Sequence, residues 1–237
     1  MRGGKAAERI VMKEPVKFEL DEKQITVFAN ENDNVPVVCA NMFSETSREL
    51  LLECEKLGCE PFHLVSITNL RWDEELSPWR HEPVVSKEDN FTGEADEYIR
   101  CLTERIIPRA EEIIAPSYRV IAGYSMAGLF ALYAPYITDM FSRAVSVSGS
   151  VWYSGFVSYV KEHDFRRRPD AVYLSLGDRE SRTKNQFLSR TEDCAKELCS
   201  IYQSRGISSV FELNPGNHFK DAPLRLAKGI AWTLAPH

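Results

Sequence analysis

Alternation of apolar and polar residues marks two short strands near the beginning of the chain. Residues 16–20 and 24–28 each place apolar side chains at every second position, and the charged residues 21–23 separate them. Residues 35–40 are instead continuously apolar and include β-branched side chains, which is typical of a strand that is buried on both faces. The pattern therefore predicts an antiparallel hairpin that precedes a strand in the middle of a sheet.

Strands and helices alternate along the remainder of the chain. The predicted strands cover residues 62–67, 118–122, 141–147, 171–176 and 209–213, and the predicted helices cover residues 47–57, 94–114 (with a kink at Pro108), 123–134, 186–205 and 221–234. Such alternation is typical of parallel β-α-β units. Because the chain has no internal repeat and no linker rich in glycine, serine or proline, we predict one α/β domain over residues 1–237.

One long segment, residues 68–93, follows neither the helical nor the strand period. It contains Trp72, Trp79 and His81 among several prolines and acidic residues. A loop of this length in a compact domain is usually functional or disordered, and two tryptophans argue against disorder. We therefore predict that the segment forms a cap or a pocket wall.

Composition and charge exclude several classes of protein. Of the 237 residues, 43% are hydrophobic, which is enough for a packed core and unlike a disordered chain. The net charge is −6, and an acidic surface disfavours nucleic acid as a partner. The apolar runs are shorter than the roughly 18–20 residues that cross a bilayer, so no membrane association is expected.

The first residues and the cysteines indicate a compartment. The first residues include Arg2 and Lys5 but no apolar segment of an export signal, so we expect a cytoplasmic protein. The six cysteines are then expected to be reduced thiols. No histidine lies near them at a zinc-ligand spacing, so we expect neither a metal nor another cofactor. The oligomeric state stays open.

The strongest chemical signal is Gly-Tyr-Ser-Met-Ala-Gly at residues 123–128, between a predicted strand and a predicted helix. This is the setting of a nucleophile elbow, in which a serine occupies a turn so tight that small residues are needed two positions before and after it. Gly123 meets the first need, and Ala127 stands where glycine is more usual. We therefore predict that Ser125 is a nucleophile.

A serine nucleophile needs a base, and the base needs an acid. His218 is the one histidine in a turn-rich loop after the last predicted strand, and it is the predicted base. Asp178 and Glu180 follow the preceding strand, so the order along the chain is serine, acid, histidine. We favour Glu180, because its spacing from Gly177 and its longer side chain let it turn back towards His218. Asp178 remains an alternative.

Four stretches taken together, residues 123–128, 147–152, 176–180 and 216–218, resemble the α/β-hydrolase fold. Within that fold they are similar to the putative esterase branch, which includes esterase D, feruloyl esterases and siderophore (enterochelin) esterases. The resemblance spans residues 16–235. It implies a mostly parallel central sheet with helices on both faces and an antiparallel N-terminal hairpin. It further implies a cofactor-independent serine esterase that acts on a small-molecule ester.

The oxyanion that forms during ester hydrolysis needs two backbone N–H donors. We expect one from Met126, directly after the nucleophile. The other is expected near Asn41 or Met42, in the loop after residues 35–40, and Met42 is the position that we select. Relatives often have glycine in that loop, and asparagine at position 41 tolerates a positive φ angle. Asn41 as an ordinary turn or helix-cap residue is the competing interpretation.

Substrate contacts are expected from aromatic residues, with Trp152, Trp79 and Trp72 as candidates; the alternative is that they only fill the core.

The leading function is hydrolysis of a small or medium carboxylic ester through an acyl-enzyme. Thioester hydrolysis, acyl transfer and hydrolysis of a siderophore trilactone would use the same triad. A trilactone is anionic, and Arg71, Arg80 and Arg179 are available to bind it. From another class, a non-catalytic binding relative of the fold is the remaining alternative.

Overall fold

Eight strands form one sheet at the centre of the computed structural model, which describes residues 10–237. The first nine residues, on which the expectation about an export signal rests, lie outside the described residues. In chain order the strands are β1 (Val16–Leu20), β2 (Lys23–Phe28), β3 (Val37–Asn41), β4 (His63–Thr68), β5 (Arg119–Tyr124), β6 (Arg143–Val147), β7 (Ala171–Gly177) and β8 (Ser208–Asn214).

The order of strands across the sheet is β1-β2-β4-β3-β5-β6-β7-β8. The predicted hairpin is present, because β1 pairs with β2 antiparallel, and β2 continues antiparallel against β4. All other neighbouring strands are parallel. The carboxyl ends of β3, β5, β6, β7 and β8 therefore meet at one edge of the sheet, where open α/β sheets hold their ligands.

Eight α-helices surround the sheet within the described residues. They are α1 (Ser47–Lys56), α2 (Trp72–Glu75), α3 (Ala95–Cys101), α4 (Ile107–Glu111), α5 (Met126–Ile137), α6 (Phe156–Glu162), α7 (Thr191–Ser204) and α8 (Ala222–Leu234). The sheet separates two apolar clusters: α1 and α8 pack on one face, and α3, α5 and α7 pack on the other. Burying each large apolar side chain contributes about 1.5–3 kcal/mol. The predicted α/β class, with helices on both faces, is confirmed.

The region around Pro108 differs from the predicted continuous helix. Residues Leu102–Ile106 form wider π-helical turns between α3 and α4. Proline has no N–H to donate within a helix, and its ring crowds the carbonyl four residues earlier, so a wider turn relieves that crowding. The expected irregularity at Pro108 is therefore a change of helix type.

Two short helices, α2 and α6, are not among the predicted elements. Each has seven residues or fewer, so neither repeats its apolar side often enough to be recognised as periodic. Packing stabilises α6, because Phe156 and Val160 are buried in the core.

All six cysteines are free thiols. No helix in residues 10–237 is both long enough and apolar enough to cross a membrane.

Candidate active site

Ser125 lies in the turn between β5 and α5. Strand β5 continues through Gly123 and Tyr124, two residues beyond the predicted end, because both pair with β6. Ser125 then adopts φ 59° and ψ −123°, a strained conformation for a residue with a side chain, and α5 begins at Met126. A Cβ atom at position 123 would lie 2.2 Å from the Ala127 carbonyl oxygen, so only glycine fits there. The elbow accommodates Ala127 because Gly123 has no side chain.

Ser125, His218 and Glu180 form one chain of contacts. His218 Nε2 lies 3.2 Å from Ser125 Oγ, and His218 Nδ1 lies 2.7 Å from Glu180 Oε2. The three residues come from loops that follow β5, β8 and β7, so the parallel sheet brings their ends to one edge. This arrangement can hold an imidazole in the tautomer that accepts a proton from the serine.

Glu180 is deeply buried, with only 6% of its side chain exposed. Its Oε1 accepts hydrogen bonds from the Gly177 N–H at 2.5 Å and from the Ser148 hydroxyl at 2.6 Å. Burial by itself would raise the pKa of Glu180, but hydrogen bonds from His218, Ser148 and Gly177 outweigh it and lower that pKa. Glu180 therefore carries its negative charge beside His218 at neutral pH.

Asp178 does not contact His218. Its Oδ1 accepts the Gly216 N–H at 2.9 Å, and its own N–H donates to the Asn214 carbonyl at 2.8 Å. Asp178 therefore joins the loop after β7 to the loop after β8. Of the two acidic candidates, the structure brings only Glu180 to the histidine.

The other four histidines lie away from Ser125. His63 is buried in β4, where its Nδ1 accepts the Asn30 N–H, and burial lowers its pKa. His163 stacks on Tyr159, and His237 contacts the Trp232 carbonyl. His81 packs against Phe91, Tyr153 and Phe187 and lines neither cavity at Ser125.

The two positions expected to donate an N–H to an oxyanion differ in their backbone hydrogen bonding. Met126 begins α5, and among the described residues its N–H has no acceptor, as is usual for the first turn of a helix. The choice of Met42 is wrong, because its N–H donates to the Ile67 carbonyl at 2.9 Å and so extends the sheet. The next backbone N–H, that of Phe43, has no acceptor within residues 10–237, and Phe43 lines a cavity with Ser125.

Asn41 is neither a helix cap nor a residue with positive φ. It is the last residue of β3 and is 1% exposed. Its Oδ1 accepts a hydrogen bond from the Tyr98 hydroxyl at 2.5 Å. Burial raises the pKa of Tyr98 well above its usual value, which keeps that hydroxyl protonated as a donor. Asn41 thus joins the end of β3 to α3 and lines a cavity together with Ser125.

Two cavities meet at Ser125 and His218. The first, of about 420 Å³, has mostly apolar walls, and Met42, Phe43, Trp72, Phe219 and Leu226 contribute to them. The second, of about 360 Å³, lies on the other side, between Trp152 and residues 72–91 of the long segment. Trp72 borders both cavities, and Trp152 borders the second.

Trp79 is not brought to either cavity. It packs against Tyr133, Tyr153, Phe156 and Tyr159, and its Nε1 donates to the Ser154 carbonyl at 3.0 Å. Its contacts hold the long segment on α5 and α6. The two predicted tryptophans of residues 68–93 therefore have different positions: Trp72 borders the site, and Trp79 is partly buried and packs against the core away from it.

The charges around the cavities are negative. Glu49 borders the first cavity and Asp73 and Asp89 border the second, while no lysine or arginine of residues 10–237 borders either. Burial raises the pKa of Asp73. Arg71 is instead paired with Glu74 and Glu94, and Arg179 lies beside Asp178. Within the same residues no group of three or more histidine, cysteine or acidic side chains could hold a metal ion.

Sequence reasoning missed the residues that support the triad from behind. Tyr124 donates its hydroxyl to the His218 carbonyl, and Ser148 donates to Glu180. Arg225, on α8, lies 3.2 Å from Glu180 Oε1. Tyr124 and Ser148 both lie within recognised motifs, but no sequence pattern links Arg225 to them.

Comparisons with known proteins bear on the family and the fold of the chain. A family model described as "Putative esterase" matches residues 64–219, which is more than half of the chain. Among curated proteins, the chain is 27% identical over 173 residues to the uncharacterized protein YbbA of Bacillus subtilis. That match covers 70% of this chain but only 65% of the relative.

Solved structures share the fold. The siderophore hydrolase EstA from Aspergillus nidulans superimposes with a TM-score of 0.74 at 18% identity, over 96% of this chain and 95% of that one. An IroE-like serine hydrolase from Shewanella oneidensis gives a TM-score of 0.77 at 15% identity, over 92% of this chain and 79% of that one. At these identities the similarity establishes the fold, and the chemistry has to be argued from the residues.

Proposed function

Because the chain belongs to the putative esterase family, we propose that it is a serine esterase with Ser125 as nucleophile, His218 as base and Glu180 as acid. The observation that carries the proposal is the continuous contact from Glu180 through His218 to Ser125, with Ser125 on a strained turn at the start of a helix. A non-catalytic relative would have no reason to keep all three groups in register.

The first half of the reaction forms an acyl-enzyme. Ser125 Oγ attacks the ester carbonyl carbon while His218 Nε2 takes the hydroxyl proton, and the carbonyl electron pair moves onto oxygen. When the C=O bond forms again, the bond to the leaving alcohol breaks and His218 returns its proton to that oxygen. Glu180 stabilises the imidazolium that exists between these two steps.

The oxyanion is proposed to bind the N–H groups of Met126 and Phe43. Met126 stands at the positive end of α5, and Phe43 offers the first free N–H after β3. Loss of one such donor typically reduces turnover by about 10²–10³-fold. Water then repeats the sequence on the acyl-enzyme, with His218 again as base, and releases the carboxylic acid.

The cavities favour uncharged esters. Phe43, Trp72 and Phe219 offer apolar surface for an acyl or aryl group, and the carboxylates at the rims repel anions. Cavities of this size suit small and medium substrates, with the long segment of residues 68–93 as a wall. Transfer of the acyl group to an alcohol or hydrolysis of a thioester would use the same steps.

The siderophore hydrolases among the proteins of similar fold favour a second candidate, hydrolysis of a siderophore ester. A matched pair of substrates separates it from the first. We expect p-nitrophenyl butyrate to give a kcat/KM at least about tenfold higher than p-nitrophenyl hemisuccinate, which has a similar length and a terminal carboxylate. Preference for the anionic ester would point to the second candidate.

The proposal is tested by labelling and by turnover. A fluorophosphonate should modify Ser125, as read by peptide mass spectrometry, and Ser125→Ala should lose both the label and at least about 10³-fold in kcat. Ser200→Ala is the matched control, since that serine is exposed on α7 and bonds only the Lys196 carbonyl. A folded Ser125→Ala protein that keeps most of its esterase activity would refute the assignment.

A further inference from the structure

We propose that Arg225 is a positioning residue of the active site: its buried guanidinium holds Glu180 and the His218 loop in one arrangement and balances the negative charge of Glu180. The inference rests on the proposed esterase function. Arg225 is 1% exposed and borders neither cavity, so it acts through Glu180 and His218 and not on the substrate.

One nitrogen of Arg225 faces the acid. Nη1 lies 3.2 Å from Glu180 Oε1 and 3.3 Å from the hydroxyl oxygens of both Tyr124 and Ser148. Glu180 Oε1 thereby has three partners, namely Arg225, Ser148 and the Gly177 N–H, whereas Oε2 has His218 alone. The carboxylate is therefore fixed with one oxygen reserved for the imidazole.

The other terminal nitrogen faces the loop that carries the base. Nη2 donates to the Pro215 carbonyl at 3.2 Å and to the Asn217 carbonyl at 3.0 Å. Asn217 directly precedes His218, so these bonds fix the backbone from which the imidazole projects. A Cβ atom at Gly177 would lie 2.4 Å from the Gly216 carbonyl and 2.9 Å from Nη2, so the two loops close tightly around the guanidinium.

The planar fork of arginine explains why this residue type is present. A guanidinium can direct separate N–H groups at a carboxylate and at carbonyls, whereas the lysine ammonium is a single point of charge. Burial of both partners also gives the pair a consequence for charge. Without the cation, Glu180 would be a buried carboxylate whose only remaining charge partner is a protonated His218, so protonation of the imidazole would become more favourable.

The charges that face the pair come from several elements. Arg225 of α8 is the only lysine or arginine of residues 10–237 within salt-bridge distance of Glu180. Asp178 and Arg179 lie on the loop after β7, Lys220 follows His218, and Asp73 and Asp89 border the second cavity. Tyr124 of β5, whose pKa is raised by burial, donates to the His218 carbonyl as a neutral hydroxyl. Removal of Arg225 thus removes positive charge next to Glu180 that no neighbour replaces.

The test is the pH dependence of kcat/KM for p-nitrophenyl acetate, measured for the full-length protein and for Arg225→Met and Arg225→Lys. Loss of a nearby cation raises the apparent pKa of the Glu180–His218 pair, so the acid limb of Arg225→Met should move to higher pH by roughly half a unit to one unit. We also expect kcat to fall by about 10–100-fold with little change in KM. Arg225→Lys keeps the charge, so its acid limb should lie close to the wild-type pH, but its kcat should be lower than that of the wild type.

Arg143→Met is the matched control. Arg143 also binds two backbone carbonyls at the end of α8, those of Thr233 and Ala235, but it touches no member of the triad. Its replacement should lower Tm and leave the acid limb where it is. If Arg225→Met does not fold, the double variant Arg225→Met/Glu180→Gln, which leaves no buried charge unpaired, should fold but not exceed Glu180→Gln in activity.

The outcomes are distinct. A folded Arg225→Met protein with the wild-type acid limb and kcat would overturn the inference and leave the proposed esterase function intact. Activity in the double variant above that of Glu180→Gln would overturn it as well. A wild-type protein without Ser125-dependent hydrolysis would overturn the proposed function and this inference with it.

Discussion

Four groups contact Glu180, which lies on one side of His218, and only 6% of the Glu180 side chain is exposed. On the other side of His218, Phe43 and Phe219 expose 80% and 85% of their surface. The acid side consists of hydrogen bonds of 2.5–3.3 Å that join β7 and the loops after β6, β7 and β8 to one another and to α8. The substrate side consists of apolar rings that contact one another at their edges, such as Phe43 on Trp72.

This difference reflects two separate demands. The proton transfers proposed here need fixed distances, and a buried polar network provides them only when each member has a partner. The substrate side has to admit and release a ligand, so large apolar groups stay exposed there in the free protein. Changes on the acid side should therefore alter kcat, and changes on the substrate side should alter KM.

The largest expected effect distinguishes the two acidic residues of the β7 loop. Glu180→Gln should lower kcat by about 10³-fold or more, because an amide cannot stabilise the imidazolium. Asp178→Asn should change kcat by less than about fivefold, since Asp178 bonds only backbone and Arg179. Steady-state kinetics at pH 8 measure both. The reverse ranking would reassign the acid.

The next effect separates the two tryptophans of the long segment. Trp79→Leu should destabilise the protein by about 2–4 kcal/mol, since four aromatic rings lose a packing partner. Its kcat/KM should stay near the wild-type value. Trp72→Leu should instead lower kcat/KM for p-nitrophenyl hexanoate by about 5–20-fold with a smaller change in stability. Chemical denaturation and kinetics on the same samples measure both, and equal effects on stability would contradict the distinction.

A smaller effect is expected at the exposed rings. Phe43→Ala and Phe219→Ala should each raise KM for p-nitrophenyl hexanoate by about 3–10-fold and leave turnover of the acetate unchanged. Phe43→Ala is informative because it keeps the backbone N–H that is proposed to bind the oxyanion. Leu52→Ala, at an exposed apolar position on α1, serves as the control. A loss of kcat on the acetate would show that the rings do more than bind acyl groups.

The smallest effect concerns stability in acid. The pKa of Glu180 in the folded protein is below its ordinary value of 4.5, so its ionised form stabilises the fold above about pH 4.5. That contribution is lost as the pH falls through the folded-state pKa. The free energy of unfolding of wild type should therefore decrease more steeply between pH 5 and pH 3 than that of Glu180→Gln, as urea titrations would show. Parallel slopes would mean that Glu180 is not stabilised in its ionised form.

Local patterns in the sequence predicted most of the secondary structure and the order of its elements. Strands β1 to β8 and the longer helices follow from alternation, apolar runs and the residues that end them. The ends of elements depend on tertiary pairing. Strand β5, for example, extends through Gly123 and Tyr124, up to Ser125, because both residues pair with β6. Short helices such as α6 were missed because they owe their stability to buried contacts and not to a repeated pattern.

The turn at Ser125 between a strand and a helix was predictable from the sequence alone, because it depends on residues that are adjacent in the chain. The sequence also indicated His218 and the Glu180 region, since the ends of parallel strands must meet at one edge. The three-dimensional packing was needed to show that Met42 donates its N–H to Ile67, that Trp79 packs against the core, and that Arg225 contacts Glu180. Those three facts depend on contacts between segments that are distant in the chain, and such contacts arise from packing of α8, the sheet and the long segment, which no local pattern encodes.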